Sequence, residues 1–115
     1  MSEAVYRFLG LGQKAGFLLS GDMQIRDGIK KRKGFLLILS EDASPKTAET
    51  YRMMAERQKL EIRVFGEKYK LGHSLGKSER TAVLITDEKF GKAVRDKLDT
   101  VVREDRVWQN TESTN

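Results

Sequence analysis

Cysteine is absent from this chain of 115 residues, which excludes disulfides, thiolate zinc sites and cysteine nucleophiles. Proline and histidine occur once each. With a single proline and few long polar stretches, most of the chain should be regular structure. Glu3 and Arg7 interrupt a short apolar start, so the N-terminus does not read as a signal peptide. No run approaches the roughly 20 apolar residues that cross a bilayer. These absences predict a cytoplasmic protein with no metal, no cofactor and no membrane partner.

The residues that remain are 38% hydrophobic and 34% charged, with a net charge of +5. The length suits one domain with a packed core. The isoelectric point, about 9.6, favours a polyanionic partner. The excess charge is uneven. Lys14, Arg26, Lys30, Lys31, Arg32 and Lys33 face only Asp22 and Asp27 within residues 14–33. Residues 101–115 are polar and slightly acidic, and read as a mobile tail with Trp108 as its lone large aromatic. The domain is therefore predicted over residues 1–100.

Apolar spacing predicts nine elements. Val5, Phe8, Leu9 and Leu11 mark a helix over 3–15, ended by Gly16. Residues 17–19 are a short strand, and 21–33 a helix. Residues 35–39 form an apolar run of strand length, buried on both faces. Ser44 is a natural cap and Pro45 a natural first residue for a helix over 45–59. Ala48, Tyr51, Met54, Ala55 and Leu60 fall on its inner stripe. A strand over 62–65, a short helix over 68–75, a buried strand over 81–86 and a helix over 88–98, capped by Asp87, complete the pattern. Such alternation predicts an α/β fold, a three-layer α/β/α sandwich around a mainly parallel or mixed sheet.

Two glycine-rich segments invite nucleotide readings and fail them. Gly10–Gly16 has the wrong spacing for a dinucleotide fingerprint and no preceding strand. Gly72–Ser78 is one residue short of a P-loop and runs into a strand rather than a helix. His73 has no nucleophile to serve. No metal-ligand spacing occurs. The helix over 21–33 is different. Its N-terminus offers unpaired N–H donors to an anion, and its end carries four consecutive bases.

The ordered set Leu9-Gly10-Leu11-Gly12-Gln13-Lys14-Ala15-Gly16, Ser20-Gly21, Ser40-Glu41-Asp42-Ala43-Ser44-Pro45, Leu71-Gly72 and Gly76-Lys77 resembles a bacterial group. That group comprises the YlxQ-type relatives of the kink-turn-binding ribosomal proteins of archaea and eukaryotes. The match spans about residues 4–98. The resemblance implies an α/β/α sandwich with a four-stranded mixed sheet, and RNA binding without catalysis. In that family the turn after the first strand and the start of the second helix read RNA. An Asn-Glu pair followed three residues later by Lys contacts tandem sheared G·A pairs, and a loop before the last strand packs on a flipped-out nucleotide.

Carried over residue by residue, the turn falls on Ser20, Gly21 and Asp22. The Asn-Glu pair falls on Met23 and Gln24, the lysine on Asp27, and the second loop on Lys77, Ser78, Glu79 and Arg80. Met23 lacks the amide, Asp27 reverses the lysine's charge, and the second loop is polar where many members are apolar. Gln24 can still donate and accept at a base edge.

On an ideal helix Met23, Gln24, Asp27, Lys30 and Lys31 share a face opposite Ile25 and Ile29. Lys30, Lys31, Lys77 and Arg80 are expected to hold phosphates, with Lys14 on the same side. The expectation is a non-enzymatic, monomeric RNA-binding protein acting on structured or ribosomal RNA. A protein-interaction module on the same fold is the alternative.

Overall fold

A computed structural model of the chain describes residues 2–114, with side chains through residue 101. The elements alternate as α1 (Ser2–Lys14), β1 (Leu18–Leu19), α2 (Asp22–Lys30), β2 (Leu36–Leu39), α3 (Pro45–Arg57), β3 (Ile62–Val64), α4 (Lys68–Ser74), β4 (Ala82–Ile85) and α5 (Glu88–Thr114). The strands form one mixed sheet in the order β1-β4-β2-β3. β4 runs antiparallel to both β1 and β2, while β3 lies parallel to β2.

Strand periodicity explains the two apolar runs. Along β2, Leu36 and Ile38 face one layer while Leu37 and Leu39 face the other. Along β4, Val83 and Ile85 oppose Ala82 and Leu84 in the same way. Both strands are fully buried, so both read as continuous hydrophobic stretches. One layer is built by α1, α4 and α5, through Val5, Leu9, Leu71, Leu75, Phe90 and Val94. The other is built by α2 and α3, through Ile25, Ile29, Tyr51 and Ala55. The expected three-layer sandwich is the fold.

Local signals act where the sequence places them. Ser44 Oγ accepts from Thr47 N at 3.3 Å, with Pro45 opening α3. Asp87 Oδ2 accepts from Phe90 N at 2.9 Å ahead of α5. Gly16, at φ +81°, closes α1 with Phe17 N donating to Gly12 O.

Four expectations are corrected. Leu11 is exposed, and Tyr6 takes its place in the core because it faces Phe65 across the layer. Phe35 is half-exposed and precedes β2 rather than lying buried in it. α2 stops at Lys30 rather than residue 33. α5, predicted over 88–98, continues to Thr114, since neither Gly nor Pro interrupts Leu98-Asp99-Thr100-Val101. The side chains of the predicted tail, Trp108 among them, lie outside the described residues.

Candidate nucleic-acid interface

α2 begins without a side-chain cap. Gly21 occupies the N-cap at φ −77°, ψ 141°, and the first bond within the helix is Ile25 N to Gly21 O at 2.9 Å. Donors of the first turn therefore point outward unclaimed by any capping side chain. Nothing internal demands glycine at position 21. Its φ is ordinary, and an added Cβ would meet only the flexible end of Gln24, at 3.3 Å from Oε1.

Asp22, the first helical residue, sits favourably at the positive end of the helix dipole. Its carboxylate accepts from the hydroxyl of Tyr51 and from Arg26 Nε, the latter at 2.9 Å. The Tyr51 hydrogen bond is the main cause that holds the Asp22 carboxyl below its ordinary range; desolvation opposes it, and Arg26 adds a lesser lowering. Burial first, and the Asp22 contact second, push the Tyr51 phenol well above its usual value. The Arg26 guanidinium also lies over the Tyr51 ring at 5.6 Å. This brace ties the start of α2 to α3. Tyr51 was read from sequence only as a core residue. Its partner is 29 positions away, and no local spacing announces the contact.

Ile25, Gly28 and Ile29 pack inward, so Met23, Gln24, Asp27 and Lys30 face solvent, as helical spacing predicts. Met23 is 83% exposed. Asp27 does not stand bare: Lys31 Nζ lies 3.1 Å from Oδ2. That exposed pair contributes little stability, yet it reduces the negative charge the helix presents.

The second loop folds back against α4 and reaches the first. Gly76, at φ +71°, ends α4 with Lys77 N donating to Gly72 O at 2.8 Å. Gly72 has no room for a side chain, because a Cβ would come within 1.8 Å of Ser78 O. Arg80 N donates to Lys68 O at 3.0 Å. The Arg80 guanidinium gives Nε to Ser20 Oγ at 3.1 Å and Nη1 to Ser78 Oγ at 3.0 Å and Glu79 O at 3.0 Å. Ser20 is almost wholly buried by this arrangement. Two turns separated by 60 positions thus meet at one hydrogen bond. Arg80, expected to hold a phosphate, directs these two nitrogens inward as a brace. Lys77, Ser78 and Glu79 remain exposed.

Other sequence candidates stand apart from this corner. α2 has nine residues, so Lys30 lies about 12 Å along the axis from Asp22. Lys31 is the C-cap, and Arg32 turns into the left-handed region at φ 56°. Of the four bases only Lys30 therefore lies within the helix, which the sequence reading runs to residue 33. Lys14 belongs to α1, in the opposite layer, beside His73 and Gly76. His73 stacks on Tyr69 at the surface, with ring centroids 5.9 Å apart. Among the described residues no group of three or more His, Asp or Glu side chains could hold a metal ion. No helix among them is long and apolar enough to cross a membrane.

Comparison with known proteins converges on one group. The model of the ribosomal protein L7Ae/L30e/S12e/Gadd45 family matches residues 3–102. The RNA-binding protein YlxQ of Bacillus subtilis is 30% identical over 94 residues, covering 82% of this chain and 94% of that protein. A protein of unknown function from Bacillus halodurans superposes with a TM-score of 0.78 at 27% identity, over 83% of this chain and 96% of the other. The 15.5 kD RNA-binding protein of Giardia lamblia shares the fold alone, with a TM-score of 0.71 at 16% identity, over 86% and 88% of the two chains.

Proposed function

The chain belongs to the L7Ae/L30e/S12e/Gadd45 family of ribosomal proteins, and from that premise we propose that it is a non-catalytic, cytoplasmic RNA-binding protein. Residues 1–100 form the binding domain, acting as a monomer on structured or ribosomal RNA, with 101–115 as an appendage. The observation that carries the reading is the joined corner. The uncapped start of α2 and the loop at 77–80 are fixed to each other through Arg80 and Ser20. One RNA surface can then meet both at once. The relative from Bacillus subtilis carries RNA binding in its name, and its similarity covers 82% of this chain.

Within this reading Gly21 lets a sugar–phosphate backbone approach the helix N-terminus closely. Gln24 reads a base edge, replacing the family glutamate with an amide that both donates and accepts. Lys77 supplies phosphate attraction beside the corner, and Lys30 and Lys31 supply it farther along α2. Asp27 is masked by Lys31 rather than by RNA. Recognition is of the kinked-helix type, with unpaired or non-canonically paired bases presented to Gln24.

The test compares a kink-turn RNA with a plain duplex across a salt series. Preference for the kinked RNA, lost in Gly21→Val and Gln24→Ala, supports the proposal. Equal and weak affinity for both RNAs removes kink specificity, and no binding at low salt removes RNA binding altogether. A protein-interaction module is the second reading, favoured by the bare thioether of Met23 on the outward face. It predicts partners that survive nuclease treatment and Lys30/Lys31→Glu.

A further inference from the structure

α2 and α3 end at the same pole of the molecule, away from the joined corner, and they end in the same unusual way. Each closes with a paired reverse turn: Arg32 N donates to Ile29 O and Lys33 N to Gly28 O, while Lys59 N donates to Glu56 O and Leu60 N to Ala55 O. This motif places its first residue beyond the cap in the left-handed region, where glycine is favoured. Here those residues are Arg32 at φ 56° and Lys59 at φ 55°. They are the only two non-glycine residues at positive φ among those described. Both line one cleft of about 260 Å³, together with Phe35, Gln58 and Leu60.

The chemistry of that cleft is specific. Folding alone favours glycine at both turns, so two long cations there work against local backbone preference. Non-glycine residues held in this region tend to gather at functional sites. Phe35 presents a half-exposed ring. Gln58 brings an amide whose Oε1 is shielded and without a partner. Glu61, the acid on the wall, is answered by Arg95 at 3.0 Å and Arg63 at 3.5 Å. The two cations that line it, Arg32 and Lys59, have no carboxylate within 4 Å among the described residues. An aromatic face, an amide and unpaired cations together form the set that takes an unpaired nucleotide of a single strand.

We propose that the cleft between the ends of α2 and α3 is a second RNA site, in which Arg32 and Lys59 hold backbone phosphates and Phe35 stacks an unpaired base. The inference rests on the RNA-binding reading and extends it. The joined corner holds the structured element, and the cleft holds single-stranded RNA leaving it. The span along α2, about 12 Å, equals three to four base steps, so one RNA can reach both.

The experiment uses the full chain and two RNAs, a blunt kink-turn stem and the same stem with an eight-nucleotide uridine extension on one strand or the other. The extension should tighten wild-type binding about tenfold, the worth of one stacked base. Arg32→Gly/Lys59→Gly should abolish that gain and lower the salt slope on the extended RNA by about 1.4, at 0.7 per lost single-strand phosphate contact. The same variant should melt at a higher temperature, since glycine relieves the left-handed positions. Phe35→Leu, which keeps an apolar side chain, should also remove the gain.

Higher melting temperature with an unchanged gain overturns the cleft and leaves the corner standing, as does a wild type indifferent to the extension on either strand. No binding of either RNA at low salt overturns the RNA-binding reading and the cleft with it.

Discussion

Asp22 opens α2 while binding Tyr51 and Arg26. Its carboxyl titrates below the ordinary range, so ionisation stabilises the fold. That contribution is fully present above the unfolded value near 4 and is lost as pH falls through the lower folded value. Tyr51 works in the opposite direction. Its raised value means that its neutral form stabilises the fold below about pH 10, and that stability is lost as pH rises beyond it. Tyr51→Phe should therefore cost about 1 kcal/mol at pH 7, below the usual range for a hydrogen bond to a charged group because the carboxylate is solvent-screened. Urea titrations at pH 7 and pH 3 check this, with the difference from wild type shrinking at pH 3. Gly21 has a different signature. Gly21→Ala should leave stability within about 0.5 kcal/mol, since only a movable glutamine end lies in the way. An RNA affinity that falls with an unchanged melting temperature separates its binding role from a structural one.

Among the elements, the loop between α4 and β4 depends on two residues of different kinds. Gly72 lets Ser78 O approach where any side chain would collide with backbone. Gly72→Ala should destabilise the fold by about 3 kcal/mol and displace the loop, as read by thermal melting and by faster amide exchange at Lys77 and Arg80. Arg80 works through its guanidinium fork, which bridges Ser20, Ser78 and Glu79. Lysine carries the charge but not the fork. Arg80→Lys should loosen both turns, speeding exchange at Gly21 and Ser78, and weaken RNA binding although the net charge is unchanged. A variant with wild-type affinity and exchange would show that the corner needs only a positive charge.

For the whole molecule, the relevant quantity is where the net charge of +5 is displayed. Four consecutive bases look like one patch in a linear reading. In the fold, Lys31 turns back to Asp27 while Arg32 and Lys33 belong to the turn that ends α2. The positive surface is therefore divided between the joined corner and the far pole. Binding of a duplex through the corner should follow salt with a slope that falls by about 0.9 in Lys77→Ala, the loss of one phosphate contact. Filter binding from low to moderate salt measures it, and an unaltered slope would exclude Lys77 from the interface.

Sequence alone determined the layers of this protein. Apolar runs at Leu36–Leu39 and Ala82–Ile85, helical stripes between them, and local caps at Ser44 and Asp87 are short-range signals, because strand and helix periods act over a few residues. The outward face of Met23, Gln24 and Asp27 was legible for the same reason. Boundaries were less so. Nothing between Ile29 and Gly34 forbids another helical turn, and α2 ends at Lys30 in a paired reverse turn whose central residue is not glycine. Only the tertiary structure decided which turns meet. Ser20 with Arg80 and Asp22 with Tyr51 are joined by chain reversals through a mixed sheet, which also sets Arg32 and Lys59 on one cleft. The energies that hold such pairs depend on distances in space that sequence spacing does not encode. For the same reason a single basic run came to lie between two separate surfaces.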